Sequence, residues 1–151
     1  MLVYLILMYS DFDSPMLSPF MLCSLSRHRC FFLDSPGGCG KTFLFNTLLA
    51  AIRARSKVAI AVASSGIAGL LLQGGTTSHS RFKIPIEVES NSHCNIRAQS
   101  EEAALIRAAE LIVWDEAPMA HKHAFMAVDR TLKSLMGNNL PFVLSGDVWQ
   151  D

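Results

Sequence analysis

The apolar positions of this chain fall into two kinds of run. "CFFLD" (30–34), "VAIAVA" (58–63), "LIVWDEAP" (111–118) and "PFVLSGD" (141–147) are short and end at turn residues or acids, which predicts buried strands. "KTFLFNTLLAAIRARSK" (41–57) is long enough for a helix and ends in Arg53, Arg55 and Lys57, charges that suit the negative end of a helix dipole. "SEEAALIRAAE" (100–110) predicts a helix with an acidic first turn, and a third helix spans roughly 120–136, stopped by Gly137 and Asn138. "SSGIAGLLLQGGTTSHS" (64–80) reads as a short helix followed by a glycine-rich loop. Strands that alternate with helices imply crossover connections, hence an α/β fold with a mostly parallel sheet flanked by helices.

Residues 1–26 fit none of these templates. Pro15 and Pro19 stand among scattered hydrophobics, and the stretch is expected to be an unassigned leader, either poorly ordered or the product of a misplaced start codon. "MLVYLILMY" is too short for a membrane span, which needs about 20 apolar residues. It also lacks the basic residues that open a signal peptide. The domain therefore begins near residue 27 and runs to 151.

Composition narrows the picture only slightly. Half of the 151 residues are hydrophobic and 17% are charged, with a mean hydropathy of +0.30. That suits a buried parallel sheet, or a piece whose exposed apolar surface other parts would cover. Net charge is zero, and neither half is basic enough to announce a nucleic-acid partner by charge alone. Cys23, Cys30, Cys39 and Cys94 form no C-x-x-C pair, so free thiols in a reducing compartment are expected rather than a zinc site on Cys23, His28 and Cys30.

The chemistry sits at the strand ends. "SPGGCGKT" (35–42) follows a strand and opens a helix, the order a phosphate site requires: an abrupt strand end, amides pointing inward, and a helix N-terminus behind them. Gly37, Gly38 and Gly40 let the backbone curl round phosphates. Lys41 would reach the β- and γ-phosphates and the Thr42 hydroxyl a magnesium ion, so Ser35, Pro36, Gly37, Gly38, Cys39, Gly40, Lys41 and Thr42 are the candidate ATP-binding loop. Asp115 and Glu116 leave the third strand at the sheet edge where that loop lies. Asp115 is placed to hold the magnesium shell and Glu116 to polarise an attacking water.

After the last strand, Asp147 and Gln150 are placed to lie beside a γ-phosphate, where a glutamine amide can orient water; a plain surface loop would be spelled the same way. His121 and His123, two apart on a helix, are expected to face different ways. "TTSHSRFKIP" (76–85) gathers hydroxyls, His79, Arg81, Phe82 and Lys83, and is either a grip on a phosphodiester backbone or an ordinary polar loop.

Taken together, "FFLDSPGGCGKTFLFNTLLAAIR", "VASSGIAGLLLQGGTTSHSRFKIPI", "CNI", "LIVWDEAPM" and "LSGDVWQ" resemble, in order, the Pif (petite integration frequency) family of DNA helicases, with the closest look to its plant and Helitron-transposon branch. The resemblance covers about residues 30–151. It implies a RecA-like lobe of an ATP-driven 5′-to-3′ DNA helicase, using ATP and Mg²⁺ and acting in telomere maintenance, recombination and DNA repair, in the nucleus. By position it makes Lys41, Glu116 and Gln150 catalytic and Thr42 and Asp115 the magnesium ligands. It makes "GGTTSHSRF", with Thr77, His79, Ser80 and Arg81, the segment that touches single-stranded DNA.

The chain departs from the family's pattern in several places. Ser35 stands where the family has glycine and Cys39 where it commonly has threonine; "SGDVWQD" replaces a "GGDFRQ"-like segment. An upstream glutamine motif is not recognisable in residues 1–30, and no second lobe follows. One incomplete lobe is therefore expected, inactive by itself, from a truncated gene model or a transposon relic. A non-catalytic ATP-binding remnant is the competing reading, and a small-molecule kinase is disfavoured because no lid or acceptor site is apparent. If the turn at Ser35 demanded a glycine-only conformation, serine would cost about 1–3 kcal/mol, and Ser35→Gly would tighten ATP binding.

Overall fold

The computed structural model describes residues 2–8, 30–35 and 38–137. Pro36, Gly37, Asp147, Gln150 and the strand expected at 141–147 lie outside the described residues. Five strands form one sheet: β1 (Leu2–Met8), β2 (Cys30–Ser35), β3 (Val58–Ala63), β4 (Thr76–Thr77) and β5 (Ala109–Asp115), in the order β2-β1-β5-β3-β4. β3 is parallel to both β4 and β5, and β1 runs antiparallel to β2 and β5. All strands except β1 therefore point the same way, as the alternating pattern requires. β1 departs from the expectation for residues 1–26: "LVYLILM" is a strand, not part of an unassigned leader. An uninterrupted apolar run cannot be told from a short buried helix by periodicity alone, and no turn residue opens this one as one closes "CFFLD".

Period-two alternation splits β3 and β5 between two cores. Ala59, Ala61, Leu111 and Val113 face α1 (Lys41–Arg53), whose buried stripe of Phe45, Leu49 and Ile52 repeats at helical spacing. Ile60, Val62, Ile112 and Trp114 face the opposite layer. That layer contains α3 (Ser78–Phe82), α4 (Glu101–Ala108) and α5 (Lys122–Met136), and buries Phe82, Ile106, Phe125, Val128 and Leu132. Trp114 is its centre, fully buried with Phe82 at 5.8 Å and Phe125 at 4.2 Å between ring centroids. Outside these cores, Phe43 on α1 and Ile67 and Leu70 on α2 (Gly66–Leu71) stay exposed, the apolar surface that the high hydropathy foreshadows.

Element ends shift from the expected ones for local reasons. α1 stops at Arg53 rather than 57 because Ser56 turns the chain at φ 58, and the Arg53 guanidinium donates to the carbonyls of Gln73 and Ala59 at 2.7 and 3.0 Å. α4 yields to β5 at Ala109, where the register against β3 slips and Lys57 pairs with Glu110 at 2.7 Å. β5 ends at Asp115, not 118, since Glu116 adopts φ 53 and Ala117–Met119 form a 3₁₀ turn around Pro118. The long loop after α3 is stapled to α5. Arg130 donates to the carbonyls of Ser90 and Ser92, and the Thr131 hydroxyl accepts the Cys94 N–H at 2.9 Å. Among the described residues no helix is long and apolar enough to cross a membrane.

Candidate functional site

Three chain segments converge at the carboxyl edge of the sheet. Across that edge, Asp115 of β5 pairs with Ala63 of β3, and Ala63 with Thr77 of β4. The site candidates from different parts of the chain thus stand side by side in one row. This edge is where α/β sheets bind ligands.

The phosphate loop meets the row from α1. Gly38 and Gly40 take left-handed backbone at φ 78 and 81, a conformation glycine adopts without strain. Gly38, Cys39 and Gly40 are exposed, so their amides are open to a ligand, while Thr42 is half-buried. Lys41 begins the helix and is only 6% exposed. Its ammonium lies close enough to Asp115 to favour that carboxylate's charged form. Ser35 ends β2 in register with Leu2, and among the described residues left-handed backbone at non-glycine positions is confined to Ser56, Lys83 and Glu116. Ser35 therefore does not occupy a glycine-only conformation, and the strain argument for it falls away. Ser35→Gly is expected to leave ATP affinity within about two-fold, well short of the shift that 1.4 kcal/mol of strain would give, as a nucleotide titration of both proteins will read.

Asp115 is buried, and burial pushes its carboxyl up to about 6. The N–H of Glu116, 2.8 Å from Oδ1, and the charge of Lys41 oppose that rise, while the charge of Glu116 adds to it. A cation beside Asp115 would replace the water it has lost. Among the described residues no three His, Cys, Asp or Glu side chains come together as a metal cage. Magnesium is held by one or two carboxylates plus substrate phosphates. The hydroxyl of Thr42 and the carboxylate of Asp115 are the residues that fit it, and the left-handed glycines and buried lysine fit the phosphates.

Magnesium-nucleotide binding should therefore fall with acid, about ten-fold from neutrality to one pH unit below the Asp115 midpoint, because the protonated carboxyl cannot ligate. The ligand-free protein should respond with the opposite sign. A carboxyl raised in the folded state contributes stability below the ordinary carboxylate range, and that contribution is lost as pH rises through about 6. Nucleotide titrations and denaturant melts across that window check both signs.

Glu116 has left-handed backbone, uncommon for a side chain of its size and a feature that clusters at active sites. Ser65 donates its hydroxyl to Glu116 Oε2 at 2.6 Å. Ser64 accepts the Trp114 indole N–H at 3.0 Å, and its own N–H donates to the Asp115 carbonyl at 3.1 Å. These two serines were not legible as site residues. Their signals were a position directly after a predicted strand and a place inside "VASSGIAGLLLQGGTTSHSRFKIPI", one of the stretches that carry the family resemblance.

The segment expected to touch DNA is more structured than a loop. The Thr77 hydroxyl accepts the Ser80 N–H at 3.2 Å and caps α3, with Phe82 anchored against Trp114. His79 and Ser80 are exposed and Arg81 is half-buried, so these side chains can meet a partner beside the acid pair. His121 and His123 do not point apart. His121 lies outside α5 as its N-cap and accepts the His123 N–H, which brings the rings to 4.7 Å. Cys39 and Cys94 are free thiols, and burial raises Cys94 to about 11, leaving it unreactive near neutrality.

A phosphate cradle on a helix start, facing a buried acid at a parallel sheet edge, defines an α/β P-loop lobe. The family model of the PIF1-like helicases matches residues 22–150, and the chain belongs to that family. It is 28% identical over 130 residues to the ATP-dependent DNA helicase PIF4 of Trypanosoma brucei brucei, covering 79% of this chain and 16% of that protein. To the ATP-dependent DNA helicase Pif1 of Campylobacter jejuni it is 30% identical over 126 residues, covering 79% of this chain and 28% of the relative. The crystal structure of Bacteroides Pif1 bound to single-stranded DNA matches 68% of this chain and 24% of that one, with a TM-score of 0.58 and 28% identity. The fold is thus RecA-like, and the chain spans less than a third of each relative's length.

Proposed function

We propose that this chain is the ATP-binding lobe of a 5′-to-3′ DNA helicase of the Pif type, coupling ATP hydrolysis to DNA unwinding in repair, recombination and telomere maintenance in the nucleus. The observation that carries the reading is the row at the sheet edge. The acid pair follows the end of β5 and the Thr77–Arg81 segment the end of β4, with β3 between them and the Lys41 charge acting on Asp115. In this scheme Lys41 neutralises charge on the γ-phosphate, and Glu116 takes the proton from the attacking water. Asp115 and Thr42 would hold magnesium, which when bound would supply positive charge to the phosphates, and Gln150 would orient the water. His79, Ser80 and Arg81 offer donors to a single strand's phosphates, a contact that positions the strand without reading its bases. The relatives' names and the DNA in the neighbouring crystal structure support this reading.

Phosphate release by the chain, with and without an oligo-dT strand, tests it. Slow release that the strand accelerates supports the motor. Nucleotide binding with no release assigns an ATP-binding remnant instead, and release that depends on a small acceptor assigns a kinase.

A further inference from the structure

Ser65 stands at a junction that phosphate binding does not require. Its hydroxyl donates to Glu116 Oε2 at 2.6 Å, and the same oxygen accepts the Ala68 N–H at 3.2 Å, capping α2. Its carbonyl accepts the Gly69 N–H at 3.1 Å. A serine hydroxyl has one proton, so donating it to a carboxylate leaves the oxygen a stronger acceptor for the cap. The carboxylate bond and the helix cap therefore reinforce each other. If the carboxylate turns toward a water beside the γ-phosphate, both weaken.

α2 passes any such change on with little slack. A Cβ on Gly75 would collide with the Gly69 carbonyl, so the end of α2 and the start of β4 already touch. β4 ends in Thr77, whose hydroxyl caps α3. At the other end Glu116 sits in left-handed backbone, and the Ser65 hydroxyl is the partner across the edge that its carboxylate accepts from.

We infer that Ser65 is a positioning residue for Glu116, holding its carboxylate and linking the state of the phosphate site, through the cap of α2, to the Thr76–Phe82 strip. This rests on the reading of the site as an ATPase with Glu116 as base. It assigns a coupling role to a residue that neither the phosphate loop nor the acid pair contains.

The test is amide resonance mapping of the whole ¹⁵N-labelled chain, titrated with magnesium and a non-hydrolysable ATP analogue. The amides of Gly38–Thr42 report the phosphate site, and those of Ala68 and Ser80 report α2 and α3. In the native protein and in Ser65→Thr, which keeps the hydroxyl, both groups should shift with one midpoint. In Ser65→Ala the loop amides should still respond, with a midpoint within about two-fold, while the Ser80 shift is lost. Glu116→Ala, which leaves the serine cap intact, should also lose the Ser80 shift and serves where Ser65→Ala does not fold. A Ser80 response that survives both alanine variants overturns the coupling, as does a native response confined to the loop. Loop amides that ignore the analogue in the native protein overturn the ATPase reading itself.

Discussion

Lys41→Ala weakens magnesium-ATP binding by ten-fold or more. The side chain is buried at the first position of α1, so its ammonium meets a bound phosphate with little water to dilute the attraction. A charge-assisted hydrogen bond of this kind contributes about 1.5–3 kcal/mol, and each 1.4 kcal/mol is about a factor of ten in affinity. The substitution also removes the positive charge that partly offsets the burial of Asp115, so that carboxyl moves further upward and becomes a poorer magnesium ligand at neutral pH. Both effects act in the same direction. Titration with a fluorescent nucleotide reads the change, and circular dichroism confirms that the variant is folded. Equal affinity in the two proteins would sink the phosphate-loop reading.

The second large effect is an absence. The purified 151-residue chain should not separate duplex DNA, however much ATP is supplied. Unwinding by a translocase needs two lobes that close on the nucleotide, with an arginine crossing the cleft to stabilise the transferring phosphoryl group. That arginine is typically worth about 10³–10⁵ in rate. The described residues make one sheet with helices on each face. A strand-displacement assay with a fluorescent duplex checks this. Robust displacement by the native chain, with Lys41→Ala inactive, would show that one lobe suffices.

The candidate site was readable where its chemistry is written in adjacent residues. A strand, a glycine-rich turn and a lysine-threonine helix start occupy one segment, and two acids close a strand in another. Burial on both faces of the parallel strands was likewise visible in "VAIAVA" and "LIVW". The helix expected over roughly 120–136 forms as Lys122–Met136, and its glycine stop is where expected, Gly137 taking left-handed backbone at φ 62.

Errors arose where a residue's role depended on something distant. His121 seemed to be part of a helix, yet as its cap it turns its ring onto His123. Whether Ser35 needed a glycine-only turn was left open by the sequence, and pairing with Leu2 keeps the backbone there extended. β1 went unseen because its pairing partners start 22 residues or more beyond it in the chain, as the register Met8↔Leu111 and Leu7↔Cys30 shows.

By itself the sequence determined the alternation of elements, the α/β class, and which residues are the candidates for a phosphate loop and an acid pair. Each is encoded by a period or a turn within a few consecutive residues. Only the tertiary structure decided that the Lys41 charge acts on Asp115, that Thr77 stands in one row with the acids, and that Glu116 bends into left-handed backbone under the hydroxyl of Ser65. These residues lie dozens of positions apart, and the geometry of packed strands, not local preference, sets them along one edge and brings Ser65 to hydrogen-bonding distance of Glu116.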